Sequence, residues 1–234
     1  PLEEQKKVIK KIIDDLKKQK KEYSVPRKTT SDNVEEAVIV EKPIEETDQV
    51  VLIDRFGYAR GIDMPTYERN KEAADSESKR VIFCKNTDKL IIFTDTGKAD
   101  TLKVLDLPLG KFRDKGEPVD NVSNFDGSKE RALFVGSVSE ILGKEMYFVT
   151  KRGMIKKVAG DEFESSRKTI AATKFKDNDE LVAVGILEPG SEITICTEKK
   201  HKSKIKACDF PLMHKNSVGN TGIKLKKGDS VVEA

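Results

Sequence analysis

The chain has 234 residues, of which 36% are charged and 36% are hydrophobic, and it contains no Trp. No apolar run reaches the ~20 residues needed to cross a bilayer, so the sequence excludes an integral membrane protein built from helices. The 44 Lys and Arg residues nearly balance the 41 Asp and Glu residues, and a net charge of +3 neither forces disorder nor by itself identifies nucleic acid as a partner.

The amino-terminal segment predicts a helix over residues 1–22, because Leu2, Ile9 and Leu16 recur at intervals of seven among good helix formers. An apolar stripe this narrow needs another surface to pack against. That surface belongs to the following domain, to another chain or to a removed part of a longer parent protein. The chain begins at Pro1 within this helical pattern, and we therefore expect it to be a fragment.

Residues 27–48 are polar and increasingly acidic, and they predict an extended arm with one short strand at 37–40. Residues 1–48 are thus interpreted as a helix and acidic linker arm, and residues 49–234 as a separate domain. From Gln49 onwards, short apolar runs bounded by Gly, Asp, Asn, Lys or Pro indicate an all-β sandwich, barrel or propeller.

Four segments repeat one pattern, in which an apolar strand is followed by Thr or Asp, two turn residues, Gly and a second strand. The Gly position is occupied by Gly57, Gly97 and Gly153, and in the fourth repeat by Lys200. Such turns favour a positive φ, which Gly adopts at no steric cost. We therefore predict about four hairpin blades of a propeller-like fold, with Lys200 in either a strained turn or a different turn type.

Three cysteines, Cys84, Cys196 and Cys208, form an odd count without a Cys-x-x-Cys pair. This pattern argues against a disulfide framework and against a zinc site, and it favours a reducing cytoplasm. His201 and His214 are too few and too scattered for a metal site or a catalytic triad. The sequence thus predicts neither catalytic residues nor metal ligands.

Several motifs resemble, in order and spacing, the C-terminal domain of the A subunit of bacterial type IIA topoisomerases, the family of DNA gyrase and topoisomerase IV. The motifs are Gly57-Tyr-Ala-Arg60, Gly97-Lys-Ala-Asp-Thr-Leu-Lys-Val104, Lys115-Gly-Glu-Pro-Val-Asp-Asn121, Thr150-Lys-Arg-Gly-Met-Ile-Lys-Lys157 and Gly222-Ile-Lys-Leu225. The resemblance covers about residues 27–234. It implies a β-pinwheel, in which neighbouring blades exchange strands and a basic outer rim binds and bends duplex DNA.

The resemblance also implies what lies outside this chain. The catalytic tyrosine, the bound Mg²⁺ and the ATP would belong to other parts of the parent enzyme, an ATP-dependent topoisomerase. The partners would be double-stranded DNA, the ATPase B subunit, and the catalytic core of the parent A subunit, on the bacterial nucleoid in the cytoplasm. The alternative from the residues alone is a protein-interaction propeller without a role in DNA binding.

One departure from the family concerns the Gln/Arg/Gly-rich box that gyrase A subunits carry after the first hairpin. Here that position reads Tyr67-Glu-Arg-Asn-Lys-Glu-Ala-Ala-Asp-Ser-Glu-Ser-Lys-Arg80, which has no Gly and four acids. The chain is therefore interpreted as closer to topoisomerase IV than to gyrase.

The basic residues on or just after the hairpin turns are the predicted DNA-binding residues. They are Arg55, Arg60, Lys98, Lys103, Lys151, Arg152, Lys156, Lys157, Lys199, Lys200, Lys202, Lys204 and Lys206. A belt of such residues would neutralise phosphate charge with little reading of base sequence. For each single position the alternative is an ordinary surface lysine that keeps the domain hydrated and does not bind DNA. The dense cluster from Lys199 to Lys206 makes this alternative weaker there.

Overall fold

The computed structural model describes residues 2–23 and 45–234. The chain separates into two compact units, Pro1–Pro43 and Ile44–Ala234. In the first unit, helix α1 runs from Leu2 to Glu22 and confirms the predicted helix. The predicted strand at 37–40 and most of the predicted arm lie outside the described residues.

Every helix that the structure describes is too short or too polar to cross a membrane. The longest of them, α1, carries its apolar residues on an exposed stripe, as Ile9, Ile12 and Leu16 show. The composition of the chain had led to the same expectation for helical spans.

The second unit consists mainly of short antiparallel strands joined by tight turns. In chain order the strands are β1 (Asp48–Asp54), β2 (Tyr58–Asp63), β3 (Ser78–Lys85), β4 (Lys89–Thr94), β5 (Lys98–Lys103), β6 (Glu117–Pro118), β7 (Ala132–Ser137), β8 (Glu145–Thr150), β9 (Met154–Ala159), β10 (Thr169–Ala171), β11 (Leu181–Leu187), β12 (Glu192–Thr197), β13 (Lys202–Lys206), β14 (Asn220–Thr221) and β15 (Val231–Glu233). The short helices are α2 (Met64–Arg69), α3 (Lys71–Glu77), α4 (Val119–Val122) and α5 (Val138–Ile141).

Four sheets are each centred on one hairpin, and we call them blades 1 to 4. The hairpins are β1–β2, β4–β5, β8–β9 and β12–β13. The next long strand along the chain, β3, β7, β11 or β15, returns to pair with the first strand of its own hairpin. The predicted all-β fold with four hairpin blades is therefore confirmed.

Neighbouring blades exchange strands, as the family resemblance implied. The short strand β6 follows the second hairpin but pairs with β2 of blade 1. In the same way, β10 follows the third hairpin and pairs with β5, and β14 follows the fourth and pairs with β9. Each of blades 1 to 3 thus receives its fourth strand from the segment that follows the next hairpin, whereas the described residues supply three strands to blade 4.

The hairpin turns share one backbone conformation. Gly57, Gly97 and Gly153 have φ values of 84°, 77° and 77°, and Lys200 has a φ of 60°. The turn of blade 4 therefore keeps the positive φ of the other three, and Lys200 adopts it despite its Cβ. Of the two alternatives predicted for Lys200, the strained turn is the one observed.

This turn allows a direct test of backbone strain. We expect Lys200→Gly to raise the free energy of unfolding by about 0.5–1 kcal/mol, because Gly removes the close approach of Cβ to the carbonyl oxygen at positive φ. The measurement is urea unfolding followed by circular dichroism. In the matched reverse variant, Gly153→Lys, the new Cβ would lie 2.7 Å from Ile223 Cγ2, so that variant should lose stability. A lower stability of Lys200→Gly would contradict the assignment of strain.

The blades pack face to face in chain order, and each contact has its own hydrophobic cluster. The cluster between blades 1 and 2 includes Val51 and Ile92, the next includes Phe93 and Phe148, and the third includes Val149 and Ile195. Because side chains alternate along a strand, each hairpin has a back face towards the preceding blade and a front face towards the next. The back face of blade 1 is covered by Tyr67 of α2 and Ala74 of α3.

Candidate nucleic-acid interface

Two of the predicted DNA-binding residues are buried, which corrects their assignment. Lys156 is 1% exposed, and its Nζ donates hydrogen bonds to the carbonyl oxygens of Ala172 and Ser217, both at 3.1 Å, and to that of Lys215. Arg60 is 9% exposed, with its guanidinium 5.6 Å from the centroid of the Phe112 ring. Both side chains lie on the back faces of their hairpins, where neighbouring elements cover them, and they are removed from the candidate interface.

The surroundings of Lys156 also change its proton affinity. Burial lowers the pKa of its ammonium group to about 8, and the carboxylate of Glu162 opposes part of this change. Three backbone carbonyl oxygens accept its hydrogen bonds, matching the three N–H groups of an ammonium. Lys156 therefore joins blade 3 to the exchanged segments on either side of it and has a structural role.

Four further predicted residues form ion pairs within the protein. Lys98 lies 2.9 Å from Glu130, Lys151 lies 2.8 Å from Glu180, Arg152 lies 3.7 Å from Asp177, and Lys157 lies 2.9 Å from Glu145. Lys157 is also largely buried, because its side chain is only 14% exposed. A phosphate would have to compete with a carboxylate at each of these positions, so they contribute less to an anion site than the sequence predicted.

Acidic residues lie between the turns of blades 2 and 3, and they interrupt the expected belt of bases. Asp95 of blade 2 lies across a shallow cleft from Asp177, Asp179 and Glu180 of the segment that precedes β11. Two of these carboxylates, those of Glu180 and Asp177, accept the ion pairs of Lys151 and Arg152. The bases at the turn of blade 3 are therefore partly neutralised by neighbouring carboxylates.

The last blade carries a dense group of bases for which the described residues provide no carboxylate partner. We call this group the fourth-blade patch, and its members are Lys199, Lys200, Lys202, Lys204 and Lys206. All five are exposed, and Lys199 additionally donates a hydrogen bond to the Lys227 carbonyl oxygen at 2.8 Å. Three of them alternate along β13 with Ser203 and Ile205, so they lie on one face of the sheet.

That face is the front face of blade 4. Lys202 occupies the position held by Ala59, Ala99 and Ile155 in the preceding blades, two residues after the turn residue. Those three residues are buried under the next blade, whereas Lys202 is exposed. The structure thus places Lys202, Lys204 and Lys206, which the sequence predicted just after the turn, on a sheet face that no other blade covers among the described residues.

A second basic group, which sequence reasoning largely missed, lies between blades 1 and 2. Arg55, Lys79, Arg80 and Arg131 line a cleft of about 400 Å³ beside the exposed turn residue Phe56. We call these four residues the first-blade patch. The adjacent bases Lys79 and Arg80 were visible in the sequence, but only the pairing of β1 with β3 brings them to the turn of the first hairpin.

The segment in place of the gyrase box is helical and closes the other end of the blade series. Asp63 caps α2 by accepting a hydrogen bond from the Thr66 N–H at 2.8 Å. The Tyr67 hydroxyl donates a hydrogen bond to the Asp75 carboxylate at 2.9 Å, which ties α2 to α3. Tyr67 and Ala74 pack on blade 1, so α2 and α3 form a cover for the back face of that blade.

Comparisons with known proteins agree with the motifs. A family model described as the DNA gyrase C-terminal domain, a β-propeller, matches residues 144–188 and 204–234. The gyrase A protein of Lawsonia intracellularis is 26% identical over 238 residues, covering 94% of this chain and 28% of that protein. The gyrase A protein of Clostridium acetobutylicum is 28% identical over 234 residues, with the same two coverages.

The fold is similar to a solved C-terminal domain of DNA topoisomerase IV, with a TM-score of 0.72 at 21% identity. The match covers 81% of this chain and 61% of that one. These findings confirm the resemblance to the C-terminal domains of the gyrase and topoisomerase IV A subunits. The chain spans about 28% of the length of the curated relatives it matches.

Proposed function

We propose that this chain, a relative of the C-terminal domains of bacterial type IIA topoisomerase A subunits, binds and bends duplex DNA without reading its sequence. The observation that carries the proposal is the fourth-blade patch, whose five exposed lysines include three on one open sheet face. The first-blade patch, between blades 1 and 2, would provide a second contact.

The chemistry of both patches suits phosphates rather than base edges. Lys and Arg side chains neutralise backbone charge and release counterions, so affinity falls steeply with salt. If the fourth-blade patch engages ~5 phosphates, the slope of log affinity against log salt is about −4.5. Two separated patches favour a bent duplex, because bending brings additional phosphates into contact and offsets a deformation cost of a few kcal/mol for ~20–30 bp.

We further propose that the bending resembles that of topoisomerase IV rather than the chiral wrapping of gyrase. The box that the resemblance associates with wrapping is replaced by α2 and α3, which pack on blade 1 through Tyr67 and Ala74. The acidic cleft formed by Asp95, Asp177, Asp179 and Glu180 also argues against a DNA path that follows every blade.

In this proposal the chain serves a larger enzyme and carries no catalytic residue itself. The parent would be an ATP-dependent type IIA DNA topoisomerase, an isomerase of the bacterial cytoplasm acting on the nucleoid. Its catalytic core and its ATPase B subunit would supply DNA cleavage, Mg²⁺ and ATP hydrolysis. The two basic patches would hold a DNA segment for that core.

The test uses nicked circular DNA that is ligated with and without the chain at low salt, followed by deproteinisation. We expect salt-sensitive gel retardation and no shift in linking number, because the duplex is bent without net writhe. A clear shift towards positive linking number would contradict the topoisomerase IV-like interpretation and support wrapping. The absence of both retardation and shift would contradict DNA binding and favour the protein-interaction propeller.

A further inference from the structure

The turn of the first hairpin carries a large apolar side chain that is almost fully exposed. Phe56 is 88% exposed. The same position of the turn is occupied by Thr96, Arg152 and Lys199 in blades 2, 3 and 4. Of the four hairpins that the structure describes, the first therefore presents an aromatic ring to solvent where the others present a polar or charged side chain.

The backbone that carries this ring is held in place on both sides. One carboxylate oxygen of Asp54 accepts hydrogen bonds from the N–H groups of Phe56, at 2.8 Å, and Tyr58, at 2.9 Å. The carbonyl oxygen of Gly57 accepts the N–H of Val119, which follows the exchanged strand β6, at 2.9 Å. Because the turn is already ordered, a contact made by its tip loses less conformational entropy on binding than one made by a mobile loop.

The charges around Phe56 favour an anionic partner. The four bases of the first-blade patch line the cleft beside the ring. All four are exposed, and among the described residues no carboxylate forms an ion pair with them. Exposed cations therefore flank an exposed aromatic ring on one turn.

The carboxylates of the same cleft make contacts within the protein. Glu130 lies 2.9 Å from Lys98, and its side chain is only 6% exposed. Asp120 accepts a hydrogen bond from the Gly127 N–H at 3.2 Å, and Asp54 is engaged in the turn itself. These acids thus leave the positive charge of the first-blade patch available to a ligand.

This combination matches the two chemical parts of a DNA duplex, which are anionic phosphates outside and flat, stacked bases inside. We propose that Phe56 is a wedge that inserts between two stacked base pairs while the first-blade patch holds the flanking phosphates. Apolar side chains inserted in this way partly unstack a base step and kink the duplex. The inference rests on the proposed DNA binding and deepens it, because it places a kink at the turn of blade 1.

The wedge also defines which duplexes fit best. Pyrimidine–purine steps are flexible and are unstacked more easily than other steps. A duplex with such a step at Phe56 should therefore bind at a lower cost of deformation. This selection depends on the stiffness of the DNA and uses no hydrogen bond to a base edge.

The probe is an end-labelled duplex of about 30 bp of alternating A and T, in which several adenines are replaced by 2-aminopurine. Its 2-aminopurine fluorescence rises when a base loses its stacking neighbour, and the anisotropy of the end label reports binding in the same samples. We expect both signals to rise and to saturate together when the full chain is added at low salt.

Phe56→Thr removes the wedge and keeps a turn residue that blade 2 already uses, Thr96. At saturation this variant should give no rise in 2-aminopurine fluorescence, and its affinity should fall about tenfold, since contact of an aromatic ring with a base is lost. The slope of log affinity against log salt should stay the same, because no phosphate contact is removed.

The matched control is Phe56→Leu, which keeps an apolar wedge and should retain most of the fluorescence rise. Because the ring is 88% exposed, both variants should unfold in urea at the same concentration as the unaltered chain.

Four outcomes would overturn the wedge while leaving DNA binding intact. They are a fluorescence rise that survives Phe56→Thr, a loss in Phe56→Leu as complete as that in Phe56→Thr, a smaller salt slope in Phe56→Thr, and binding of the unaltered chain without any 2-aminopurine response. No change in anisotropy with the unaltered chain would instead contradict the proposed function, and the wedge with it.

Discussion

Reversing four charges of the fourth-blade patch, by Lys199, Lys200, Lys202 and Lys204→Glu, should lower the affinity for duplex DNA about a hundredfold or more at low salt. The four lysines lie on the open end of blade 4 without a carboxylate partner among the described residues. Each lost phosphate contact removes the release of about one counterion. The slope of log affinity against log salt should therefore become less steep by about 3.6. The measurement is fluorescence anisotropy with a duplex of about 30 bp at several salt concentrations.

The control for overall charge places the same four substitutions at Lys10, Lys11, Lys17 and Lys18 of α1. This variant has the same net charge, so it separates a local site from a general electrostatic effect. Loss of affinity should be uniform across DNA sequences, because phosphate contacts carry no base information. Equal losses in both variants, or unchanged binding by the patch variant, would show that the fourth-blade patch is not the DNA site.

Replacing Lys156 with Met should destabilise the domain by about 3 kcal/mol while leaving its exposed basic patches intact. The substitution keeps the length of the side chain but leaves the carbonyl oxygens of Ala172, Lys215 and Ser217 without their donor. Each unsatisfied buried acceptor costs about 1–3 kcal/mol, partly offset because the buried charge is also removed. Urea unfolding measures the loss, and DNA anisotropy at a temperature where the variant is folded measures the interface.

The same variant has a characteristic dependence on pH. The folded-state pKa of Lys156, about 8, is below the ordinary value of 10.5, so the unfolded chain binds more protons between these two values. The stability contributed by this group should therefore rise with pH in that window, by at most about 1.4 kcal/mol per pH unit. Lys156→Met lacks this contribution, and the difference between the two unfolding curves should change above pH ~8. Parallel curves, or a loss of DNA affinity without a loss of stability, would return Lys156 to the interface.

Much of the fold was predictable because its determinants are local. Each hairpin turn has a residue with positive φ at a fixed offset after the preceding strand. Gly57, Gly97 and Gly153 occupy this position in three turns, and Lys200 is the exception. The apolar runs around these turns indicated the number of hairpins. Strand exchange was not visible in composition or spacing and came from the family resemblance, because the two-residue strand β6 has no periodic pattern of its own.

The interface was only partly predictable, and the two adjacent lysines of blade 3 show why. Both Lys156 and Lys157 were predicted to be exposed because they lie near a turn. In the structure Lys156 is buried under exchanged segments, and Lys157 forms an ion pair with Glu145. Conversely, Lys79 and Arg131 are distant in sequence from the first turn and reach its cleft only through the pairing of long-range strands.

The sequence by itself determined the hairpins, their turns and the alternation of side chains between the two faces of each sheet, since these depend on neighbouring residues along the chain. Only the tertiary structure decided which of those faces is covered. Lys157 and Lys204 occupy the same position after their turns, yet Lys157 is largely buried and donates a hydrogen bond to the Ala207 carbonyl oxygen beside blade 4, while Lys204 is exposed. The difference arises because the front face of blade 3 packs on another blade and the front face of blade 4 packs on none among the described residues.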